Sequence, residues 1–338
     1  MQKQAPAAVL SQLRQCPALA GVGQDTLSRL TPADIYVWGA DYQGQGHYTF
    51  MVGFNTQRIP ALADKQFFVS VAVPQLPSAP VPRNDFSQRS AYLKVLQEAG
   101  IPTITYAEQP FPLTVKAATY DCHLSRGIQG YQLPNSKPLS SDEIQIMAQT
   151  QARMHLAAKN FAPDGERKPA LVLSQGLPCG YIHADYRPRN LIFRSEPCRI
   201  AGVIDFELAH FNSFAFDTGR TLAMTFLHPT IDLHGLRLTS MADQVYPYLQ
   251  EYVATRAAEG LPVSRKELHA IAEETVKCME DMGKAVFERH PIIPQGLYDA
   301  GMKQLTQQVQ EKMQVDTIID KLGASASLLA NGRDSLGK

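Results

Sequence analysis

YIHADYRPRNLIF at residues 181–193 and GVIDFE at residues 202–207 are the two stretches of sequence that decide the fold. Both combine short apolar runs typical of β-strands with polar turns. Three side chains that can exchange protons or bind cations, His183, Asp185 and Asp205, lie at the ends of these runs. The pattern predicts short strands whose ends bring a group of chemically active side chains together.

The spacing of these side chains is the one that phosphoryl transfer requires. His183, Asp185 and Asn190 form the pattern H-x-D-x-x-x-x-N of a kinase catalytic loop, and Asp205 begins a D-F-E triplet after an apolar strand. The reaction needs a carboxylate that accepts the proton of the acceptor hydroxyl, and oxygen ligands for magnesium. We expect Asp185 to be the base, and Asn190 and Asp205 to bind the metal. Glu207 is a further candidate ligand, because alternate residues of an extended strand share a face.

Arg187 adds a positive charge two residues after the predicted base. A fixed cation at that place could neutralise a phosphoryl group during its transfer. The surrounding sequence supports this interpretation, because a β-rich segment, a polar connection and a helical segment accompany the motif in the order typical of kinases.

The residues before the motif predict a helical cap and then a β-rich lobe. Apolar residues of 6–30 recur at helical spacing, whereas residues 35–73 contain three β-type runs separated by turn-forming residues. A proline-rich connection leads to the helical pattern SQRSAYLKVLQEAGIP, and TITYA and LTVKAATY are two further strand candidates. CHLSRGIQG is a short polar stretch that we interpret as the hinge. The expected boundaries are a cap at 1–34, a nucleotide-binding N-lobe at 35–121 and a hinge at 122–130.

Beyond the hinge, the sequence predicts a C-lobe at 131–322 for catalysis and acceptor binding, and a flexible tail at 323–338. SSDEIQIMAQTQARMHLAAKNF begins with a serine cap and an acidic first turn and then keeps apolar residues on one face. Residues 216–322 have helical patterns throughout. The expected fold class is α+β and bilobal, with an antiparallel β-rich N-lobe and a mainly helical C-lobe.

The composition is that of a folded protein with no polyanion-binding signature. Of the 338 residues, 44% are hydrophobic and 19% charged, and 32 Lys and Arg balance 32 Asp and Glu. We therefore expect neither disorder nor a nucleic-acid or membrane partner. Five dispersed cysteines without a C-x-x-C pair favour neither a disulfide framework nor a zinc cluster. The N-terminus has no signal-peptide pattern, so we predict a cytoplasmic protein, and its oligomeric state stays open.

Three motifs resemble the aminoglycoside phosphotransferase-like superfamily, which includes choline, homoserine and methylthioribose kinases. HADYRPRNLIF, GVIDFELA and FDTGRTLAM are similar to its catalytic loop, its metal-binding triplet and the following helix, and LQEAGIP and LSRGIQGYQL are similar to its first-lobe helix and hinge. The resemblance implies a protein-kinase-like fold, ATP and Mg²⁺ as cofactors, and a small-molecule hydroxyl as acceptor. D-F-E in place of D-F-G points to small-molecule kinases.

The same resemblance implies a role for each residue of the motif. Asp185 would be the base, and Asn190, Asp205 and Glu207 would be magnesium ligands. His183 would be a scaffold residue, hydrogen-bonded to the backbone near the metal triplet.

The nucleotide side of the site has weaker sequence signals. Gly44 and Gly46 lie in GADYQGQG, whose backbone N–H groups could cover phosphates, although an ordinary hairpin turn has the same composition. Cys122 and Leu124 lie where the hinge backbone would meet adenine.

The ion pair that grips the phosphates in such kinases is not evident. Ser70 occupies the position of the third-strand lysine, and Arg89 or Ala91 that of the helix glutamate. The joint loss is coherent, because either partner alone would be an unpaired charge. It leaves open an alternative, a pseudoenzyme or ligand-binding module of the kinase fold. A protein kinase is a second alternative, disfavoured because no A-P-E-like end follows the D-F-E triplet.

Three residues after the triplet could line an acceptor site. His210, Asp217 and Arg220 follow it within the C-lobe. For Asp217 we favour the other interpretation, in which its carboxylate ties the catalytic loop to the next helix.

Overall fold

The computed structural model describes residues 5–39, 47–63, 65–72, 86–115, 118–134, 137–232, 235–238, 241–289 and 295–329. The chain forms two compact units, and each unit is assembled from two separate stretches. Unit 1 comprises Met1–Arg83 and Thr103–Gln129, and unit 2 comprises Asn84–Pro102 and Gly130–Lys338.

Unit 1 is an antiparallel sheet with short helices packed on its core, as its sequence pattern predicts. Phe50 and Val52 on one strand, and Phe67, Val69 and Val71 on the next, alternate with less buried residues and form the apolar face of the sheet. The strand order is β1-β2-β3-β6-β4, and β5 also pairs with β6. The elements are α1 (Ala5–Gln15), α2 (Pro17–Ala20), α3 (Gln24–Ser28), β1 (Ile35–Gly39), β2 (His47–Phe54), β3 (Phe67–Ala72), β4 (Thr105–Tyr106), β5 (Phe111–Val115) and β6 (Ala118–Arg126).

The last strands of unit 1 differ from the expected ones. LTVKAATY is not one strand: β5 and β6 are separate and pair with each other, and residues 116 and 117 between them lie outside the described residues. β6 continues to Arg126, so the first five residues of the expected hinge belong to a paired strand. The polar residues of CHLSRGIQG concealed this strand, because its apolar positions Cys122 and Leu124 alternate with polar ones.

Unit 2 begins with α4 (Phe86–Glu98), which the expected boundaries place in the N-lobe. Its Tyr92 ring packs edge-on against the rings of Tyr181 and Phe206, with centroids 5.0 and 5.7 Å away. These two residues flank the stretch that carries the site. Aromatic pairs of this kind bury a large apolar area in a specific ring geometry, so α4 supports the residues on both sides of the site.

The remaining described elements of unit 2 are three two-stranded antiparallel pairs and a helical bundle. The hairpin β8–β9 and the pair β7–β10 are both antiparallel. Among the helices, packing is most extensive between α5 and α8 and between α7 and α9. The elements are α5 (Ser141–Ala157), α6 (Ala170–Ser174), β7 (Cys179–Ile182), β8 (Leu191–Ser195), β9 (Cys198–Val203), β10 (His210–Ser213), α7 (Phe214–Phe226), β11 (Pro229–Asp232), β12 (Gly235–Leu238), α8 (Val245–Ala258), α9 (Arg265–Arg289), α10 (Gln295–Lys312) and α11 (Val315–Leu322).

The serine cap expected for α5 is present. The Ser140 hydroxyl accepts a hydrogen bond from the Glu143 N–H, and the Glu143 carboxylate accepts one from the Ser140 N–H at 2.7 Å. This reciprocal pair satisfies two N–H groups that the helix itself cannot. No helix within the described ranges is both long and apolar enough to cross a bilayer.

The expectation that residues 216–322 are all helical is wrong at one place. The hairpin β11–β12 follows α7, because Pro229 cannot continue a helix. The pairs Thr230–Arg237 and Ile231–Leu236 set its register. The four apolar residues within 229–238 fit a helix as well as two strands, and the contacts in the folded protein decide between the two. At the C-terminal end, Gly323–Leu328 forms a 3₁₀ helix, and the last nine residues of the expected tail lie outside the described residues.

Candidate active site

The residues 183–190, called here the HxD loop, connect β7 to β8 and begin with a fully buried histidine. The Nε2–H of His183 donates to the carbonyl of Ile204 at 2.9 Å, and its Nδ1 accepts the N–H of Asp185 at 3.2 Å. One imidazole therefore joins the loop to the residue before Asp205. This is the backbone contact expected of His183.

Ala184 holds a left-handed backbone conformation, with φ of +65°. This conformation costs an L-residue about 1–2 kcal/mol, so the surroundings must enforce it. Two side chains of α7 do so: the Asp217 carboxylate accepts the Ala184 N–H at 2.7 Å, and the Arg220 Nε donates to the Ala184 carbonyl at 3.0 Å. The peptide groups on both sides of Ala184 are thereby fixed, and the direction of the next side chain, Asp185, is fixed with them.

The Asp185 carboxylate receives its contacts through a single oxygen. Oδ2 accepts hydrogen bonds from Arg187 Nη2 and from Asn190 Nδ2, both at 2.8 Å, and Arg189 Nη2 lies 3.8 Å away. Asn190 also donates to the Asp185 carbonyl at 2.8 Å. Among the described residues no donor contacts Oδ1. The carboxylate is therefore anchored at one oxygen and can receive a proton at the other.

Arg187 lies within electrostatic range of both carboxylates of the motif. Burial lowers the pKa of Arg187, whereas the negative charges of Asp185 and Asp205 oppose that shift. Its side chain is 17% exposed. A largely buried arginine that interacts with two carboxylates keeps its charge and interacts more strongly with anions than it would in water.

Asp205 and Glu207 do not lie on an extended strand, so the shared face expected for them is wrong. β9 ends at Val203, Asp205 has φ of +66°, and Phe206–Leu208 forms a 3₁₀ helix. In such a helix residues two apart point in different directions. The cause is the left-handed turn at Asp205, which the sequence alone does not reveal, because aspartate adopts this conformation far less often than glycine.

The motif offers two hard oxygen donors for a metal ion. No group of three or more His, Cys, Asp and Glu residues in the described part of the chain is arranged to hold a metal. The Asn190 bonds use its amide nitrogen, and its carbonyl oxygen is the atom that would coordinate a cation. Magnesium is usually held by one or two protein oxygens together with substrate phosphates. Asn190 and Asp205 carry the oxygen atoms that such a partial site would need, and metal binding by Asn190, Asp205 and Glu207 stays a prediction.

Two of the three residues expected near an acceptor, Asp217 and Arg220, are hydrogen-bonded to the backbone of the HxD loop. The Asp217 side chain is 1% exposed and accepts bonds from Ala184, from His155 Nε2 at 2.9 Å and from Gln151 Nε2 at 3.1 Å. Burial alone would raise the pKa of Asp217, but these bonds outweigh it and lower that pKa. An acceptor-binding role for this carboxylate is therefore excluded by its burial.

His210 lies on β10, and its imidazole is hydrogen-bonded to two nearby residues. Its Nδ1–H donates to the Leu208 carbonyl at 2.8 Å, and its Nε2 accepts a bond from Asn212 Nδ2 at 3.2 Å. Burial lowers the pKa of His210, so the ring is neutral at neutral pH. Arg220 has its Nε on the loop carbonyl and its guanidinium 5.4 Å from the Phe216 ring. Contact of His210 or Arg220 with an acceptor stays a prediction.

The residues expected at the nucleotide are either outside the described residues or inside the sheet of unit 1. Gly44 and Gly46 belong to the first group. Cys122 is flanked in the sheet by Val71 and Phe111, and the Leu124 carbonyl accepts the Ala107 N–H at 2.8 Å. Both side chains are fully buried. Strands on both sides of these positions argue against a backbone edge that meets adenine there, and that role stays a prediction.

Sequence reasoning missed the buried polar residues behind the loop. His155, Gln151, Tyr252, Arg256 and Glu267 are all fully buried and belong to helices whose patterns indicate ordinary cores. The one signal available was a charged residue, Arg256 or Glu267, at an otherwise apolar helix position, and such residues are common on half-exposed helices.

Known proteins are similar to this chain in sequence over the motif and in fold over most of its length. Residues 165–252, about a quarter of the chain and all of the motif, match the model of the phosphotransferase enzyme family. Amicoumacin kinase has a similar structure, with a TM-score of 0.54 and 11% identity over 85% of this chain and 90% of that one. A Ralstonia eutropha protein described as an aminoglycoside phosphotransferase gives a TM-score of 0.53 and 15% identity over 93% and 98%. The fold of this chain is similar to the folds of these two proteins.

The sequence match within this superfamily is local. A homoserine kinase of Caulobacter sp. is 43% identical over 53 residues, which are 16% of this chain and 16% of the length of that kinase. The resemblance to the superfamily and the α+β bilobal fold class predicted from the sequence are confirmed.

Proposed function

We propose that this protein is an ATP- and Mg²⁺-dependent phosphotransferase that phosphorylates a hydroxyl of a small polar metabolite or of an aminoglycoside-like antibiotic. The proposal rests on one observation. Arg187 and Asn190 both donate to the same carboxylate oxygen of Asp185, and its other carboxylate oxygen has no donor among the described residues.

In this proposal Asp185 acts as the general base. Its Oδ2 is anchored by Arg187 and Asn190, so Oδ1 faces the acceptor hydroxyl and receives its proton. The two anchoring bonds also prevent the carboxylate from rotating away, which keeps the hydroxyl oxygen aligned for attack on the phosphorus atom.

Arg187 stabilises the transferring phosphoryl group. The cation is already bonded to the base, so no side chain has to move when negative charge develops on the phosphoryl oxygens. Arg189 is a second cation near the same carboxylate, but its guanidinium is 53% exposed and it is 3.8 Å away. Solvent screening makes the more buried arginine the stronger candidate.

Asn190 and Asp205 would hold the magnesium ion. The metal would neutralise phosphate charge and orient the nucleotide for transfer. The amicoumacin kinase structure contains AMP-PNP and Ca²⁺, which supports a nucleoside triphosphate and a divalent cation as the cofactors here as well.

A screen of hydroxyl compounds tests the proposed function. Purified protein, ATP and Mg²⁺ would be incubated with aminoglycosides, amino alcohols, hydroxy amino acids and sugars, and ADP release would be measured with and without each compound. We expect one chemical class to stimulate ADP release, with the phosphorylated product visible by mass spectrometry. Release that no acceptor stimulates, over the whole set, would contradict the proposal.

A second candidate function, a kinase-fold binding module, is favoured by one observation. Ser70 lies on β3, opposite Thr49 and His123, and no lysine is present on that strand, while α4 carries a buried Arg89. Ser70→Lys distinguishes the two candidates. In an enzyme whose phosphate grip is weak, the new ammonium should tighten ATP binding and lower the KM for ATP. In a binding module, it should change neither ATP affinity nor turnover.

A further inference from the structure

A chain of buried polar side chains crosses the helical part of unit 2 and ends at the HxD loop. Glu267 on α9 pairs with Arg256 on α8, with N–O distances of 3.1 and 3.4 Å. Arg256 Nη1 donates to the Tyr252 hydroxyl at 2.7 Å, that hydroxyl is 2.8 Å from His155 Nδ1, and His155 Nε2 is 2.9 Å from Asp217. All five residues are 0–1% exposed.

The direction of each hydrogen bond follows from what each group can donate. A guanidinium only donates, so the Tyr252 oxygen accepts from Arg256. Burial raises the pKa of Tyr252 to about 12, so the hydroxyl keeps a proton to give to His155 Nδ1. Burial also lowers the pKa of His155, so its ring is neutral, and its one proton lies on Nε2. That proton is donated to the Asp217 carboxylate.

This direction matters for the loop because Asp217 must stay an acceptor on both oxygens. Its Oδ1 accepts the Ala184 N–H, and its Oδ2 accepts from His155 and Gln151. If the proton of His155 moved to Nδ1, Nε2 would turn a lone pair towards the carboxylate. The carboxylate would then lose a donor and gain a repulsive contact, and the bond that holds Ala184 would weaken.

The arrangement is costly if its only role is to fill the core. A buried ion pair is often no more stabilising than well-packed apolar residues of the same volume, and here four helices each contribute a polar group to one chain of bonds. Among the described residues, this chain of bonds reaches the motif at the peptide N–H of Ala184, the residue before the proposed base.

We infer that Tyr252 and His155 are positioning residues: the bond from the Tyr252 hydroxyl to Nδ1 holds the His155 ring with its Nε2–H on Asp217, and through Asp217 this bond holds Ala184 and aims Asp185. The inference about the tautomer and the loop is independent of the reaction, and its effect on turnover rests on the proposed function.

The test compares Tyr252→Phe with Tyr246→Phe. Both tyrosines lie on α8, and each substitution removes one hydroxyl. The Tyr246 hydroxyl, however, donates to the Lys312 carbonyl, and among the described residues it has no bond to the buried polar chain. At a temperature where both variants are folded, Tyr252→Phe should lower kcat about tenfold or more and leave the KM values for ATP and acceptor unchanged. A base displaced by a fraction of an ångström slows proton transfer, but the protein still binds ATP and acceptor. Tyr246→Phe should leave kcat unchanged.

Two further measurements do not rely on catalytic activity, and the first of them is made on the wild-type protein. In the wild type, ¹⁵N chemical shifts of His155 should show the Nε2–H tautomer, with the assignment made from His155→Gln. Native-state hydrogen exchange should be faster at the Ala184 N–H in Tyr252→Phe and unchanged in Tyr246→Phe. An Nδ1–H tautomer or an imidazolium in the wild type overturns the inference. So does a Tyr252→Phe protein with wild-type kcat, or with wild-type exchange at Ala184. If the wild type transfers phosphate to no acceptor, the proposed function fails while the shifts and exchange rates still decide this inference.

Discussion

Replacing the proposed base by its amide is the sharpest test of the active site, because the structure separates what Asp185→Asn removes from what it keeps. The amide oxygen can take the place of Oδ2 and accept the same bonds from Arg187 and Asn190. The amide nitrogen then stands in the place of Oδ1 and cannot accept a proton. Loop geometry is retained, and proton acceptance is lost.

General-base catalysis contributes about two to four orders of magnitude, which corresponds to about 2.7–5.4 kcal/mol of activation free energy at 1.36 kcal/mol per tenfold. We therefore expect kcat for acceptor-dependent ADP release to fall by about 10²–10⁴. The magnesium-dependent affinity for ATP should stay close to that of the wild type, because Asp185 is not a proposed metal ligand and Asp205 still faces Arg187.

The measurements are steady-state ADP release and a calorimetric titration with ATP in the presence of magnesium. Asp164→Asn is a matched control, since it makes the same chemical change at an exposed turn residue and should alter neither quantity. Turnover of Asp185→Asn within a few-fold of the wild type would refute the assignment of the base. A large loss of ATP affinity in the same variant would mean that this carboxylate binds metal.

Three further changes test the metal ligands, the packing under the loop and the buried histidine. Asp205→Ala should abolish the part of ATP affinity that depends on magnesium, and Glu207→Ala should reduce it less, as titrations with and without the metal would show; equal affinity with and without magnesium in the wild type would contradict the site. Gly180→Ala should lower stability by about 1–3 kcal/mol in urea denaturation, because the new Cβ would overlap a backbone carbonyl, whereas Gly296→Ala, with open space around it, should not. The wild-type thermal midpoint should fall as the pH drops below about 6.5, because burial lowers the pKa of His155 and only the unfolded chain takes up its proton. His155→Gln should make that decrease shallower, and an unchanged slope would contradict the neutral buried ring.

The sequence predicted the elements that have a strong local pattern. β2 was expected at HYTFMVGF and is found over the same residues, His47–Phe54, because its alternating apolar side chains fit one face of a sheet. The serine and acidic residues that open SSDEIQIM located the start of α5 for the same local reason. The motif itself was visible because its spacing is set by one short loop, and loop spacing is preserved in the sequence.

The features that the sequence could not show depend on tertiary partners. β10 pairs with β7, about thirty residues earlier, and its four residues HFNS have no strand pattern of their own. The left-handed turn at Asp205 replaced an expected strand, because that conformation is selected by the contacts around it and not by the residue type. The buried side chains behind the HxD loop come from four helices, and single helix patterns do not indicate which polar residues will meet.

Each of the two units is built from two separate stretches of the chain, and this affects the synthesis of the protein. The ribosome synthesises α4 before most of the other residues of its unit. Tyr92 leaves the ribosome roughly a hundred residues before Phe206, a delay of about 5–20 s at ordinary rates of synthesis. Until Phe206 is made, the apolar side of α4 lacks part of its native packing, so the nascent chain exposes hydrophobic surface to which chaperones can bind. For the same reason, a fragment starting at Gly130 would lack the helix that covers Tyr181, and neither unit can be isolated by a single cut.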